Sequence, residues 1–269
     1  MKGGITLYSE GGKITFGREG YILHEIENAP PKVLPAGLGT REITLRGYIL
    51  PTGEDDTARL ASLDALSRRV MRLVMAEGGF YMEEWGRTLH LFCTEAPHFS
   101  REAPFAEGDA ALFTVRAISE ENIPYYTEAP RQASARGMEG KLVFPLAITE
   151  QTVFATLSQS GVITVVNPGD VPCGFTAAIT ADRDTVDSIT LTLGEEQITV
   201  PYPLAAGEVM TICTVPGQKD VVCGDTSLLS YGDWRSTFFA LAPGENRLAW
   251  QAVGGGCPRL TLTLTPLYL

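Results

Sequence analysis

Only one stretch of this sequence has the hydrophobic spacing of an α-helix. Between residues 57 and 76, apolar side chains recur at intervals of three and four, as expected for one buried helix face. Asp55 and Asp56 precede the stretch as candidate N-caps, and Gly78-Gly79 ends it. Elsewhere the sequence consists of short runs separated by glycine and proline, a pattern typical of strands. We therefore expect a mainly β protein with one helix in its first half.

The first half begins with a predicted β-hairpin around Gly11-Gly12. Residues 28–39 contain three prolines and two glycines, too many for a central strand, and are interpreted as a long excursion loop. The stretch 41–50 follows, in which Ile43 and Leu45 alternate with polar neighbours as in a half-buried strand. Further strands are expected at 79–82, 88–93 and 110–118.

The second half is rich in Thr and Val and has almost no helical pattern. Eight short strands with regular turn signals predict an antiparallel β-sandwich of jelly-roll type. The predicted strands are 161–167, 173–180, 188–193, 196–200, 209–213, 220–223, 248–252 and 259–264.

A chain of 269 residues with 44% hydrophobic residues is long enough for two domains with cores of their own. Between residues 119 and 140 the periodicity is lost, and charged, proline and small residues accumulate. We place a linker at about 119–140, a first domain at 1–130 and a second domain at 141–269.

Composition argues against several classes of protein. The net charge of -11 is spread over both halves, which argues against binding of nucleic-acid phosphates and favours solubility. Neither a signal peptide nor an apolar stretch long enough to span a membrane is expected from the sequence, which predicts folding in the cytoplasm. The odd set of five cysteines has no C-x-x-C pair and predicts reduced thiols.

No motif of a catalytic or cofactor site is found in the sequence. His24, His90 and His98 are not spaced like metal ligands, and no G-x-S-x-G nucleophile motif occurs. The run Gly254-Gly255-Gly256 leads into Cys257-Pro258 and a strand, whereas phosphate-binding loops lead into a helix. We therefore expect no enzymatic activity, no cofactor and no metal site. Asp182, Asp184 and Asp187 remain open between a calcium loop and a solvated turn.

Two sets of side chains are candidate contact surfaces. Tyr231 and Trp234 are candidate saccharide contacts, because exposed aromatic faces bind sugar rings, although aromatic residues more often pack in a core. The polar face of the helix carries Arg68, Arg69 and Arg72, either as a solvated face or as a contact for an acidic partner.

Taken in order, these segments resemble the distal tail proteins of long, non-contractile-tailed bacteriophages. The resemblance covers nearly the whole chain and is most specific in the stretch 239–246, which reads L-x-P-G-x-N before a strand. One departure is Ile212-Cys213-Thr214, where the family often has Asp-Thr. The other segments that carry the resemblance are the opening hairpin with 20–23, the proline-rich excursion, 41–49, the helix, 123–126, 166–170 and 189–200.

The resemblance implies a tail-tube-like N-terminal β-sandwich domain that forms a ring, typically of six copies, and a C-terminal jelly-roll or galectin-like domain that projects outward. Implied partners are other copies of the chain, the tail-tube protein, the tape-measure protein, the tail-associated hub or spike protein and, in some members, a receptor-binding protein. The implied location is the virion tail of a phage or prophage, assembled in the host cytoplasm.

We expect the assembly surface to include residues 28–46 and the arginine face of the helix. Its candidate residues are Arg41, Glu42, Arg46, Arg68, Arg69 and Arg72. The alternative function is a carbohydrate-binding module protein that recognises a cell-surface glycan.

Overall fold

The computed structural model describes residues 4–31, 33–34, 37–100, 110–120, 124–136, 138–140, 155–157, 159–182, 184–231 and 236–269. The chain forms two compact units, Met1–Glu128 with Leu269 and Ala129–Tyr268. Over the described residues it has a single α-helix, and nearly all other regular structure is antiparallel β. The predicted mainly β class with one helix in the first half is confirmed.

The first unit contains the helix and eleven of the strands in the described ranges. Its elements are β1 (Thr6–Ser9), β2 (Gly12–Thr15), β3 (Tyr21–Asn28), β4 (Val33–Leu34), β5 (Gly37–Leu38), β6 (Glu42–Ile49), α1 (Asp56–Val74), β7 (Phe80–Glu84), β8 (Arg87–Cys93), β9 (His98–Ser100), β10 (Ala111–Ser119) and β11 (Tyr126–Thr127).

A continuous antiparallel sheet runs through this unit in the order β2-β1-β7-β8-β10-β6-β3. Strand β6 shows why the sequence folds this way: Ile43, Leu45 and Ile49 are buried on one face, and their neighbours point away from the core. Within the predicted excursion, β4 and β5 pair with each other as a short hairpin.

The helix begins one residue before its predicted start and ends two residues before its predicted end. Asp55 is the N-cap, and its carboxylate accepts a 2.7 Å hydrogen bond from the Ala58 amide. The buried face includes Leu63, Val70 and Leu73. Two side chains of the sheet and its turns fix this face: the Ser9 hydroxyl donates to the Leu73 carbonyl at 2.7 Å, and the Tyr21 hydroxyl to the Leu66 carbonyl at 3.1 Å. In the described part of the chain, no helix has the length and apolarity that a membrane crossing needs.

The second unit contains thirteen strands and a short 3₁₀ helix within the described ranges. Its elements are β12 (Arg131–Arg136), β13 (Met138–Gly140), β14 (Ala155–Leu157), β15 (Ser160–Asn167), β16 (Phe175–Ala181), β17 (Val186–Leu193), β18 (Glu196–Val200), β19 (Val209–Cys213), β20 (Asp220–Cys223), β21 (Thr226–Ser227), the 3₁₀ helix Leu229–Tyr231, β22 (Gly244–Gly254), β23 (Pro258–Leu264) and β24 (Leu267–Tyr268).

Two antiparallel sheets form a sandwich in this unit, one ordered β12-β23-β16-β19-β20-β21 and the other β15-β22-β17-β18. Every long strand alternates buried and outward residues, as two packed sheets require. The inward residues make one hydrophobic core that includes Phe175, Ile212, Leu248, Trp250 and Leu262. Trp250 is therefore a core residue.

Strand β12 lies inside the stretch 119–140, for which the sequence predicts a linker. It pairs with β23 over its whole length, from Arg131 opposite Leu264 to Arg136 opposite Arg259. Its inward side chains are Ala133 and Ala135, which pack against the sandwich core. Such small side chains give almost no hydrophobic alternation in the sequence, so backbone pairing with β23 is what defines this strand.

Two asparagines explain the motifs that carry the family resemblance in this half. The Asn246 amide, 6% exposed, donates to the Ala242 carbonyl at 2.8 Å, while its oxygen accepts from the Ala242 amide at 3.1 Å. Asn167, 1% exposed, donates to the carbonyls of Val171 and Leu241 and accepts from the Gly169 amide. Each buried asparagine side chain thus hydrogen-bonds the main chain of a turn, which hydrophobic residues cannot do.

Thr214, at the departure from the family pattern, has a comparable role. Its buried hydroxyl accepts from the Phe175 amide at 2.9 Å and donates to the Phe175 carbonyl at 3.2 Å. The hydroxyl therefore continues the hydrogen-bonding between β16 and β19 beyond the last strand pair, Thr176 with Cys213.

Candidate assembly surfaces

Arg41, a candidate residue of the assembly surface, is buried and does not lie on the surface of the first unit. Its side chain is 3% exposed, and its guanidinium lies 5.5 Å from the centre of the Tyr126 ring. The Nε and Nη1 atoms have no hydrogen-bond partner. Burial lowers the pKa of this guanidinium, because the charged form loses hydration. The Arg41 amide donates to the Ser119 hydroxyl, and the Arg41 carbonyl accepts from the Ser119 amide. Arg41 therefore extends the pairing of β6 with β10 and contributes almost no exposed surface.

Arg46 lies on the outer face of β6 and joins it to the edge strand. Its Nη1 atom is 2.7 Å from both Glu25 and Glu27 of β3. Such exposed ion pairs contribute little to stability individually. They do hold the charged side chains of β6 and of the edge strand β3 next to each other. Glu42, at the start of β6, is also exposed. These two residues are surface residues, and their part in assembly stays a prediction.

The helix arginines differ in what they contact. Arg68 pairs with Asp64 on the exposed helix face at 2.9 Å, and Arg72 is exposed. Arg69 instead reaches across to the strands: it contacts Glu19 at 2.6 Å and donates to the Lys13 carbonyl at 2.7 Å. Arg69 therefore supports the fold, whereas Arg68 and Arg72 remain available for a partner. Arg46 lies on the sheet, whereas Arg68 and Arg72 lie on the helix.

Of the two saccharide candidates, one can be placed. Tyr231 is 51% exposed at the end of the 3₁₀ helix, and its ring meets the edge of Tyr202 with 5.5 Å between ring centres. Trp234 lies outside the described residues. A saccharide contact at these positions stays a prediction.

Two of the ionisable side chains that the sequence raised for catalysis or metal binding, His90 and Asp182, have structural partners. His90 lies between the Gly78 carbonyl at 2.8 Å and Glu120 at 3.1 Å, and its ring stacks on Tyr81 with 4.4 Å between centres. Asp182 is 2.5 Å from Arg136 and 4.0 Å from Arg259. Among the described residues, no group of three or more His, Cys, Asp and Glu side chains is arranged to hold a metal ion.

The cysteines of the described residues are free thiols. Burial raises the pKa of Cys93 and of Cys173 to about 11 in each case, because the thiolate would lose its hydration. At neutral pH these two side chains are therefore protonated and act as small hydrophobic groups.

Trp85, in the turn between β7 and β8, is 65% exposed and is not among the residues that the sequence motifs point to. Glu84 pairs with Arg87, so the loop consists of Trp85 and Gly86, with φ angles of 56° and 78°. Both angles are positive, as in a type I′ hairpin. Trp85 also borders a cleft of about 460 Å³, which is lined in addition by Asn28, Glu84, Arg87, Tyr126, Glu128 and Leu269. The sequence signal was a tryptophan at a position where asparagine or aspartate is usual.

Comparison with known proteins gives two informative similarities. Residues 168–268 match the family described as the C-terminal domain of the siphovirus-type tail component. The whole chain is similar to the crystal structure of the SPP1 Dit protein, which is described as a paradigm of the hub adsorption apparatus in phages that infect Gram-positive bacteria. The TM-score is 0.61 at 12% identity, covering 98% of this chain and 99% of that chain.

A structure of the phage P2 baseplate, in its activated conformation with Ca, is also similar, with a TM-score of 0.43 at 7% identity over 99% of this chain and 98% of that chain. This second likeness carries no conclusion here. Curated protein sequences give no significant match. The resemblance to distal tail proteins is confirmed by the family match and by the shared fold.

Proposed function

We propose that this chain is a structural, non-enzymatic component of a phage tail tip. In this role it forms a hub ring that joins the tail tube to the spike or receptor-binding apparatus below. The observation that carries the proposal is the match of residues 168–268 to a siphovirus-type tail component, in a chain whose whole length has the fold of the SPP1 Dit protein.

Edge strands of the first unit give this role a physical basis. Strands β2 and β3 end the main sheet, and in the described part of the chain each is paired on one side only. Edge strands expose main-chain donors and acceptors that a second chain can pair with. Strand β3 also has a register shift between Leu23 and Glu25 and charged residues that limit uncontrolled pairing. Such an edge suits specific assembly between copies of the chain.

Partners in the proposed role are other copies of the chain, the tail-tube protein, the tape-measure protein and the tail-associated hub or spike protein. The proposed assembly is a ring of six copies located in the virion tail and built in the host cytoplasm. The exposed arginines Arg68 and Arg72 and the charged edge at Arg46 are the proposed contact residues.

The proposal is tested by measuring mass in solution across a range of protein concentrations, alone and with the candidate tail proteins added. We expect a species of six copies of the 29.0 kDa chain, visible as a ring by electron microscopy. A double variant, Arg68→Ser with Arg72→Ser, should weaken assembly without unfolding the chain, because neither residue supports the core. Arg59→Ser, on the same helix, is the control. A chain that stays monomeric with every tail protein and instead binds glycans on an array would contradict the proposal and favour the carbohydrate-binding alternative.

A further inference from the structure

Trp85 occupies a backbone conformation that side chains rarely adopt. Its φ of 56° lies in the left-handed region, where residues other than Gly, Asn and Asp are disfavoured. In a two-residue type I′ turn the usual pair is Asn-Gly or Asp-Gly, and here it is Trp-Gly. A strained position that keeps an unfavourable residue is a hypothesis of function at that position.

Glu19 provides an internal comparison. It is the other non-glycine residue of the described chain with a positive φ, 52°, and it is also followed by a glycine. The Glu19 carboxylate lies 2.6 Å from Arg69 of the helix, so its side chain has a role in the fold. The described polar contact of the Trp85 indole is only with its own neighbour, at 3.2 Å to Glu84. Among the described residues, therefore, no side chain holds the Trp85 indole in the way that Arg69 holds Glu19.

The cleft beside Trp85 is built on regular structure. Tyr126 lies in β11, and its ring carries the Arg41 guanidinium at 5.5 Å, while its hydroxyl accepts from the Asn28 amide at 3.4 Å. The adjacent Thr127 pairs with Thr88 of β8. A wall held in this way is fixed before any ligand arrives, which is a property of specific binding sites.

Charge in the cleft is negative. Glu84 and Glu128 line it together with a single guanidinium, that of Arg87. Arg87 lies 3.5 Å from Glu128 and so neutralises that carboxylate. Burial raises the pKa of the Tyr126 hydroxyl and the Glu84 carboxylate raises it further, while the Arg41 guanidinium and the Asn28 hydrogen bond lower it. An indole face next to a carboxylate is an arrangement that binds cations.

We propose that this cleft, formed by Trp85, Glu84 and Tyr126, receives an arginine or lysine side chain of a different protein. The guanidinium or ammonium group would lie over the Trp85 ring and pair with Glu84. A second copy of this chain is a poorer source than a basic protein, because its net charge is -11. The inference rests on the proposed assembly role only for the choice of a protein as partner.

The test uses the full chain and two short peptides, acetyl-Gly-Arg-Gly-amide and its citrulline counterpart, which is similar in shape but uncharged. Backbone amide shifts of residues 84–88 are followed by NMR. We expect the arginine peptide to shift these signals with a dissociation constant of order millimolar, about tenfold tighter than the citrulline peptide, and to lose affinity at high salt. Equal binding of the two peptides, or no response from either, would overturn the proposal.

Variants separate binding from folding. Trp85→Asn should melt at the same or a higher temperature, because asparagine suits the turn, and should lose the peptide response. Glu84→Gln should weaken the arginine peptide about tenfold, whereas Glu83→Gln, one residue away and outside the cleft lining, should not. A shift caused by glucose or mannose with none from the arginine peptide would identify a saccharide site and contradict the proposal. Ring formation is measured on the same variants, so that a failure of the cleft is distinguished from a failure of the hub role.

Discussion

The guanidinium of Arg41 lies 5.5 Å from the centre of the Tyr126 ring, inside the first unit. The two residues come from segments that the family resemblance singled out separately, the strand at 41–49 and the stretch 123–126. Arg41 is 3% and Tyr126 7% exposed, so the pair is part of the core. These two motif residues therefore contribute to the interior of the first unit.

This burial leads to a prediction for Arg41→Met. The guanidinium is buried with its Nε and Nη1 atoms unpaired, and replacing such a group by an apolar side chain of similar length is often neutral or stabilising. We expect the free energy of unfolding to stay the same or rise by about 1 kcal/mol, measured by urea denaturation. Arg41→Ala, which also removes the packing on Tyr126, is the comparison and should destabilise. A loss of about 3 kcal/mol in the methionine variant would show that the charge itself is held favourably.

Asn246→Ala should destabilise the second unit. The substitution removes two hydrogen bonds to the main chain of Ala242, and such bonds contribute about 0.5–1.5 kcal/mol each. We expect a clear drop in melting temperature by calorimetry. Glu245→Ala, the exposed neighbouring position, serves as the control and should change little. Similar melting of the two variants would mean that the turn does not depend on the asparagine.

Thr214→Val tests the hydroxyl that continues the pairing of β16 with β19. Valine has nearly the same shape but can neither accept from the Phe175 amide nor donate to the Phe175 carbonyl. We expect a loss of about 1–3 kcal/mol in the free energy of unfolding, because the Phe175 amide becomes a buried donor without this acceptor. Thr214→Ser keeps the hydroxyl and should recover most of that loss, and the idea is wrong if serine and valine behave alike.

Cys173 should resist alkylation while the protein is folded. Only the thiolate reacts, and a pKa of about 11 leaves roughly one thiol in a thousand ionised at pH 8. Because the pKa is raised, reactivity should increase only as the pH approaches 11. The side chain is also 1% exposed. Iodoacetamide labelling followed by peptide mass spectrometry should show Cys173 modified only after unfolding in urea. Labelling as fast as at the partly exposed Cys213 would contradict this.

Several elements were predictable because local pattern and tertiary role coincide. The helix face and the strands 196–200, 209–213 and 220–223 match the observed β18, β19 and β20, since alternation of large and polar side chains identifies a half-buried strand. Strand β22 begins at Gly244, four residues before its predicted start, because a proline and a glycine followed by an asparagine are typical of a turn. The asparagine in fact stands in the strand and holds the turn before it.

The candidate site was less predictable. Trp85 is one aromatic residue among many in the sequence, and only the pairing of Glu84 with Arg87 shows that it stands at a strained turn. Tyr126 and Asn28, which line the same cleft, are 98 positions apart in the chain. Side chains so distant in sequence have no local signal that relates them.

By itself the sequence determined the mainly β class, the single helix and the ordered turn motifs of the second half, because these depend on neighbours within a few residues. Tertiary structure alone decided that Arg41 is buried while Arg68 is exposed, that Arg69 supports the fold, and that Trp85 borders an acidic cleft. The physical reason is that burial and electrostatic pairing depend on strands that meet across the sheet, and such contacts are not encoded in any one stretch of the chain.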